Sequence, residues 1–284
     1  MTSQDQDRDP PIGDPLHAAA GAVVGGAVES VLVTGGGSGI GAALARRLAD
    51  RGCTVLVTGR RAAPLHDVAG GSPHVTACVG DVTDATHRSA LVDALAELPG
   101  PRAIVHAAGS FRTGSLDTLT VEAWRNSFEL NVEARWLLTR ACAPLLDDGR
   151  VLFIGSDAGA APRSGAAAYS IAQAASETLR RSFQAEWAER STAVGAFRPG
   201  LVDTDMVRGF LALSPEEFPA RTAYEEYVAS GRVATAESVA RFAAWLLLDV
   251  PAERFSGTEW DIRDTDHHTA WTDRPLYPDE RHPG

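Results

Sequence analysis

The chain has 284 residues, of which 44% are hydrophobic and 22% charged, and these ordinary values argue against a fibre, a disordered chain or a membrane bundle. Its net charge of −11, without a basic run, argues against nucleic acid and anionic membrane as partners. Three widely spaced cysteines and an acidic start without a basic n-region predict a cytoplasmic protein with no disulfide framework and no secretory signal.

Residues 1–29 are rich in Asp, Pro, Gly and Ala, which predicts a disordered or weakly ordered extension. From Ser30 onward, short apolar runs alternate with longer amphipathic stretches. Predicted strands occupy 31–34, 54–58, 74–79, 103–106, 151–154, 193–197 and 258–262. Predicted helices occupy 39–50, 83–98, 121–146, 166–190 and 237–248. This alternation predicts a doubly wound α/β Rossmann fold, with a parallel sheet in a single domain over 30–264.

Two segments depart from the alternation. Residues 201–232 mix aromatic residues with prolines and acidic residues, which predicts a substrate lid. Residues 265–284 are polar and are expected to form a C-terminal tail. His267 and His268 lie near Asp264 and Asp266, but without helical spacing they favour a solvated tail over a metal site.

A glycine-rich loop follows the first predicted strand and opens the first helix. It reads Thr34-Gly35-Gly36-Gly37-Ser38-Gly39-Ile40-Gly41. Glycines let the backbone approach a pyrophosphate, whose charge is stabilised by the helix N-terminus. Tight strand–helix turns also use glycine, but the place after the first strand favours dinucleotide binding.

Two arginines, Arg60 and Arg61, follow the second predicted strand. A dinucleotide site for NAD usually has a carboxylate there for the ribose 2′-hydroxyl, whereas arginines suit a 2′-phosphate. A solvated basic turn is the simpler alternative. With the acid absent and both arginines present, we expect NADP(H).

Two hydroxyl groups meet at the ligand-binding edge of the predicted sheet. Ser156 closes the strand 151–154, and Tyr169 begins the next helix. Strand ends and helix starts share one edge, where such a pair can hold and protonate a carbonyl oxygen. Taken alone, helix capping by the serine explains these positions equally well.

Together, and in this order, these elements resemble the short-chain dehydrogenase/reductase family over about 30–264. Thr34-Gly35-x-x-x-Gly39-x-Gly41 is similar to its nucleotide loop, and Asp81-Val82 to its adenine contact. His106-Ala107-Ala108-Gly109 resembles the family's Asn-Asn-Ala-Gly element with the first two positions changed. The resemblance thus implies cofactor contacts from Gly35, Ser38, Gly39, Ile40, Gly41, Asp81, Val82, Ala108 and Gly109.

The catalytic residues of that family have counterparts here. Asn131 matches its helix asparagine, and Ser156 and Tyr169 match its catalytic pair. The resemblance implies that Ser156 holds the substrate oxygen, Tyr169 transfers its proton and Asn131 supports a proton-relay water. The segment 198–204 resembles the stretch along the nicotinamide and implies contacts from Pro199, Gly200, Val202 and Thr204.

One position departs from the family pattern Tyr-x-x-x-Lys, which here reads Tyr169-Ser170-Ile171-Ala172-Gln173. The resemblance implies two tasks for the lysine: binding the nicotinamide ribose and lowering the tyrosine pKa. Glutamine can hydrogen-bond the ribose but carries no charge. A cation ~4 Å away is worth up to ~4 kcal/mol at an effective dielectric of ~20, so its loss predicts a rate cost of ~10² to 10⁴. All 26 cationic side chains are arginine, so no lysine can substitute.

Three interpretations of Gln173 are open. The protein is a slow reductase helped by a reactive substrate or by the charge of the nicotinamide. Alternatively, an arginine such as Arg163 supplies the missing field. Or the scaffold binds NADP(H) for another task.

The sequence therefore predicts an NADP(H)-dependent oxidoreductase that interconverts a ketone and an alcohol on a small or medium apolar substrate. The alternatives are a catalytically impaired regulator and a non-redox dehydratase, cyclase or isomerase that uses Tyr169 as an acid. Segments 198–206 and 255–261 are similar to the sepiapterin and benzil reductase branch and suggest a dicarbonyl or cyclic ketone. The family resemblance also implies a homodimer or homotetramer. The arginine-only composition suggests a GC-rich bacterial gene of specialised metabolism.

Overall fold

A computed structural model describes residues 28–277, so the predicted N-terminal extension lies almost wholly outside the described residues. Seven parallel strands form one sheet in the order β3-β2-β1-β4-β5-β6-β9, and a small parallel pair joins β7 to β8. The strands are β1 (Ser30–Thr34), β2 (Thr54–Gly59), β3 (Val75–Val79), β4 (Arg102–His106), β5 (Arg150–Ile154), β6 (Ala193–Arg198), β7 (Val202–Asp203), β8 (Ala234–Thr235) and β9 (Trp260–Asp261). The predicted doubly wound α/β fold is confirmed.

Helices cover both faces of the sheet. They are α1 (Gly39–Asp50), α2 (Ala62–Gly70), α3 (Ala85–Ala96), α4 (Val121–Phe128), α5 (Ala134–Cys142), α6 (Ala167–Glu186), α7 (Asp205–Leu211), α8 (Arg221–Ala229), α9 (Ala236–Leu248), α10 (Ala252–Gly257) and α11 (His268–Trp271). The single helix predicted over 121–146 was wrong: a π-helical turn, Glu129–Glu133, separates α4 from α5, and a 3₁₀ turn follows α5. Helix α2 was missed because Pro64 lies in its first turn and only Leu65 and Val68 are buried.

The core has two layers, one on each face of the sheet. On one face α1 packs against α9, together with side chains such as Val31 and Val33 of β1. On the other face α3, α5 and α6 cover Leu32, the intervening residue of the same strand. Alternate residues of a strand point to opposite faces, so a strand buried on both must be apolar throughout. That is why β1 carries the continuous run of Val31, Leu32 and Val33.

The order of strands reverses between β1 and β4, because the chain builds outward from β1 to β3 and then returns to start β4 beside β1. In open α/β sheets, ligands bind outside the carboxyl ends of the strands at this reversal. The loops after β1, β4 and β5 open onto that edge, and these loops contain the predicted glycine motif, Ala108–Gly109 and Ser156.

The expectation of a solvated tail around His267 and His268 was wrong. His267 is 5% exposed, and its ring stacks on Trp245 of α9 and on Phe242. Trp271 of α11 is also buried against Phe242. The apolar side chains of α9 would otherwise be exposed to solvent, and the helical residues 265–271 pack over them. Among residues 28–277, no group of His, Cys, Asp or Glu is arranged to hold a metal ion.

No helix within the described range 28–277 has the length and apolar character that crossing a bilayer requires.

Candidate active site

The glycine loop between β1 and α1 takes a conformation that its glycines make possible. Gly35 has φ +69° and Gly39 has φ +51°, in the left-handed region that side chains disfavour. A Cβ on Gly35 would lie 2.9 Å from the backbone of Ala108, and one on Gly41 would overlap the carbonyl oxygen of Gly35. The glycines therefore let this loop pack closely at the N-terminus of α1, and a helix N-terminus stabilises negative charge such as that of a phosphate.

The loop after β4 is tied to the start of the glycine loop by a hydrogen bond from a backbone amide to a side chain. The amide of Ala108 donates to Thr34 Oγ1 over 3.0 Å. Asn131, in the π-helical turn, accepts from the Ser110 amide at 3.2 Å and donates to the Ser110 carbonyl at 3.1 Å. A π-helical turn adds a residue to the helix, and such turns occur frequently at functional sites. Here the turn contains Asn131, which is fully buried against the loop after β4.

The predicted arginine pair, Arg60 and Arg61, follows β2 directly. The Arg60 side chain is 70% exposed, and its Nη1 is 3.9 Å from Asp81 Oδ2. His87 was missed by sequence reasoning, since a histidine within a helix carries no distinguishing signal. Its Nε2 lies 2.7 Å from Thr58 Oγ1, and its ring covers Gly80, where a Cβ would overlap it. Burial lowers the pKa of His87, so the imidazole beside the end of β2 is neutral at neutral pH.

Ser156 and Tyr169 lie on the wall of one cavity. Ser156 follows β5 directly, and Tyr169 lies in the first turn of α6. Burial raises the pKa of the Tyr169 phenol, while its hydrogen bond with the Ser156 hydroxyl and the charge of Arg135 lower it. The tyrosine ring packs on Phe111, with 5.0 Å between centroids. Both residues line the same cavity, so the two hydroxyl-bearing side chains lie beside an aromatic wall.

A cavity of about 190 Å³ brings together nine of the nineteen predicted site residues. Its wall includes the reactive side chains Ser156, Tyr169 and Gln173. It also includes the four predicted nicotinamide contacts, Pro199, Gly200, Val202 and Thr204, and two further predicted cofactor contacts, Ile40 and Gly109. The remaining predicted cofactor residues do not line this cavity and lie in the glycine loop, around Arg60 and at Ala108 after β4; Asn131 does not line it either.

Gln173 is placed one helical turn after Tyr169 and is only 5% exposed. Within the part of the chain that the structure describes, its Oε1 is buried and has no hydrogen-bond partner. An unpaired buried acceptor costs about 1 to 3 kcal/mol, which a donor from a ligand would recover. A ribose hydroxyl is such a donor, so the glutamine and the glycine loop both fit a dinucleotide.

The predicted lid closes the substrate side of the cavity. Phe210 of α7, Phe218 between α7 and α8, and the partly buried Tyr224 of α8 pack together, and Phe111 joins them from the loop after β4. Phe218 is fully buried at the centre of this group. The sequence indicated the lid, but it did not indicate Phe111, which lies 90 residues earlier on an isolated loop position. The lid therefore presents an apolar, aromatic face to the substrate.

Two further contributions to the cavity were missed by sequence reasoning. Arg263 forms ion pairs with Asp157 and Asp261, at 2.8 Å and 2.6 Å, and so links the ends of β5 and β9 beside Ser156. Tyr277 also lines the cavity, so the segment after α11 belongs to its wall. The aromatic residues Trp271 and Tyr277 within a polar stretch were the signal that this segment packs.

Arg135 of α5 was missed as well. It is 5% exposed and lines the same cavity as Tyr169 and Gln173. The sequence had pointed to Arg163, which also lines this cavity.

Comparisons with known proteins agree with this geometry. The family model described as short chain dehydrogenase matches residues 29–212. Cis-4-hydroxycyclohexanecarboxylate dehydrogenase from Sinomonas cyclohexanicum is 34% identical over 234 residues, which cover 77% of this chain and 88% of that one. The 3-oxoacyl-[acyl-carrier-protein] reductase FabG from Escherichia coli is 32% identical over 228 residues, covering 78% and 90%. A short chain dehydrogenase from Burkholderia cenocepacia, solved in complex with NADP, superposes with a TM-score of 0.71 at 29% identity, covering 85% and 97%.

Proposed function

This chain belongs to the short chain dehydrogenase family, whose members bind NAD(P)(H), and on that basis we propose that it is an NADP(H)-dependent oxidoreductase interconverting a ketone and an alcohol. The substrate is a small or medium apolar molecule. One observation carries the proposal: Ser156 and Tyr169 line a single cavity together with the predicted nicotinamide contacts and the aromatic side chains of the lid.

The roles of the side chains follow from their places. Ser156 donates a hydrogen bond to the carbonyl oxygen and so fixes it beside the phenol. Tyr169 gives that oxygen its proton during reduction and takes it back during oxidation. A bound nicotinamide supplies the hydride in one direction and accepts it in the other. Gln173 accepts a hydrogen bond from the ribose through Oε1, and the lid excludes water.

The preference for NADP(H) rests on Arg60. Its guanidinium is exposed at the end of β2, where a ribose 2′-phosphate would lie, and the carboxylate typical of NAD sites is absent there. We expect Arg60→Asp to weaken NADPH binding about tenfold or more while leaving NADH binding nearly unchanged. The matched control is Arg46→Asp, the same charge change at an exposed position of α1. Equal losses for the two cofactors would refute the phosphate contact.

The substrate class follows from the lid and from the relatives. Phe111, Phe210 and Tyr224 suit a flat or cyclic apolar substrate, while Arg163 and Arg232 line the same cavity. The relative from Sinomonas cyclohexanicum is named for a cyclic hydroxy acid, which supports cyclic ketones as first candidates. Vicinal diketones belong in the same panel because of the resemblance to sepiapterin and benzil reductases.

The test follows NADPH absorbance with cyclic ketones, their carboxylate derivatives and diketones. We expect turnover that falls at least about 10³-fold in Tyr169→Phe, because the phenylalanine has no proton to give. The control is Tyr227→Phe, a tyrosine of the same cavity that makes no contact with Ser156 among the described contacts. NADPH binding without consumption would favour a regulatory protein, and product without a change in NADPH would favour a non-redox enzyme.

We also propose that the chain forms a homodimer or homotetramer through α5 and α6. Trp136 of α5 is 41% exposed and Ile171 of α6 is 39% exposed, and large apolar side chains in such positions suit an interface. Light scattering after size-exclusion chromatography gives the mass directly, and we expect Trp136→Glu to lower it. A monomeric wild-type protein would contradict the proposal.

A further inference from the structure

The proposed reaction needs a positive charge near Tyr169, and this chain has no lysine to provide one. A phenol titrates near ~10, so a developing phenolate at neutral pH must be stabilised. Gln173 occupies the position where a lysine would be expected, and its amide is neutral. A cation supplied by the protein itself would therefore have to be an arginine on another element of the fold.

Arg135 is buried at the junction of the elements that carry the site. It lies one turn after Asn131 on α5. Its Nη1 donates to the carbonyl of Ile154, 3.2 Å away and two residues before Ser156. The same nitrogen donates to Ser176 Oγ at 3.0 Å, on α6 beyond Gln173, and Nη2 donates to the Ala108 carbonyl at 3.3 Å.

The charge of Arg135 is not neutralised by an acid. All three acceptors are neutral, and among the ion pairs of residues 28–277 none includes Arg135. A buried charge without a counter-ion is destabilising, so its presence in a cleft points to a function. Burial lowers the pKa of its guanidinium to about 10, which leaves it charged at neutral pH.

We propose, on the basis of the oxidoreductase function above, that Arg135 supplies the positive charge of this active site and acts as a positioning residue through Tyr169. The geometry divides between two residues the tasks that a lysine at position 173 would combine. Gln173 presents a free acceptor to the ribose, and Arg135, on the wall of the same cavity, supplies the electrostatic field. In agreement, the Arg135 charge lowers the pKa of Tyr169 and also that of His106.

A purely structural role is the competing explanation, because the guanidinium also cross-links β5, α6 and the loop after β4. Variants that differ in the charge of side chain 135 distinguish the two explanations. Arg135→Gln keeps an amide donor but removes the charge, whereas Arg135→Lys keeps the charge with fewer donors. If the role is electrostatic, the lysine variant retains function. If the role is structural, both variants lose function in proportion to their lost hydrogen bonds.

The first experiment measures the ionisation of Tyr169 without any turnover. All four tyrosines are replaced by 3-fluorotyrosine, and the fluorine resonance of residue 169 is assigned with Tyr169→Phe and titrated in the NADP⁺ complex. We expect Arg135→Gln to raise the pKa of Tyr169 by about one unit or more, and Arg135→Lys to leave it near the wild-type value. The control is Arg150→Gln, which removes another buried arginine, bonded to the Leu246 carbonyl and stacked on Phe255, away from the cavity.

The second experiment moves the positive charge from position 135 to position 173. In the Arg135→Gln background we expect kcat to fall about 10-fold to 100-fold and its pH profile to shift to higher pH. Adding Gln173→Lys to that background should restore both. In the wild-type background the same Gln173→Lys substitution should give little gain, because the new ammonium meets the Arg135 guanidinium.

The other titratable or charged groups on the cavity wall are unchanged in every variant, so their effects cancel; they are Asp157, Arg163, Tyr224, Tyr227, Arg232, Arg263 and Tyr277. A folded Arg135→Gln protein whose Tyr169 titrates as in wild type would overturn the proposal. So would equal losses in Arg135→Gln and Arg135→Lys without rescue by Gln173→Lys. Absence of NADPH turnover in every protein would count against the proposed oxidoreductase function alone, because the fluorine titration does not depend on a substrate.

Discussion

Acid should weaken this protein through one buried histidine, His106 at the end of β4. The side chain is 1% exposed, and its Nε2 lies 2.7 Å from Thr139 Oγ1. Burial first, and then the nearby charge of Arg135, hold the pKa of His106 well below 6.5. In the unfolded chain the imidazole titrates near ~6.5, so below that pH the unfolded state binds a proton that the native state refuses.

The sign and size of the effect follow from this difference. Stability contributed by neutral His106 is complete above about pH 7 and is lost as the pH falls through ~6.5. Between pH 7 and pH 5 the loss is about 2 kcal/mol, since each unit below the unfolded pKa costs ~1.4 kcal/mol. His87, whose pKa is also lowered by burial, adds a loss of the same sign.

Urea unfolding at a fixed protein concentration from pH 7 to pH 5 measures the effect. His106→Gln has no proton to bind in this range and keeps a hydrogen-bonding group for Thr139. Its free energy of unfolding should therefore fall about 2 kcal/mol less than that of wild type across the interval. His74→Gln, a change at an exposed position, should follow the wild-type curve. Parallel curves for wild type and His106→Gln would refute the reasoning.

Three further substitutions test the cleft, the lid and the C-terminal segment. Gly41→Ala should weaken NADPH binding about tenfold or more, measured by quenching of tryptophan fluorescence, because the new Cβ overlaps the Gly35 carbonyl; Gly70→Ala, where a Cβ has open space, should not. Phe218→Ala should destabilise the lid by about 3 kcal/mol or more and speed tryptic cleavage within 201–232, and an unchanged cleavage rate would contradict the packing. Trp271→Ala should lower the free energy of unfolding by about 3 kcal/mol in urea, whereas a solvated tail would show no change.

Sequence reasoning succeeded where local pattern and chain order decide the structure. Continuous apolar runs such as Val31 to Val33, in alternation with amphipathic stretches, are typical of a sheet covered on both faces, so the order of elements predicted the fold class. The glycine loop was also predictable, since its backbone needs positive φ at Gly35 and Gly39. Ser156 and Tyr169 were singled out by their places at a strand end and a helix start together with the family resemblance, and they line one cavity; their catalytic roles stay predictions.

Sequence reasoning failed where side chains far apart in the chain meet. The π-helical turn around Asn131 leaves no clear signal, because the hydrophobic period shifts by only one residue. The segment 265–276 has a polar sequence, yet His267 and Trp271 pack on α9. They are buried because the apolar side chains of α9, a distant part of the chain, would otherwise be exposed to solvent. In both cases the partner, not the segment itself, determines the structure.

The sequence alone determined that this protein is a doubly wound α/β protein with a dinucleotide loop, a serine–tyrosine pair and no lysine. Only the tertiary structure decided which arginine stands near the tyrosine. Arg135 lies 34 residues before Tyr169 and on another helix, and its neighbours come from β5, α6 and the loop after β4. The field at the phenol depends on distance and burial, and folding sets both by bringing these elements together.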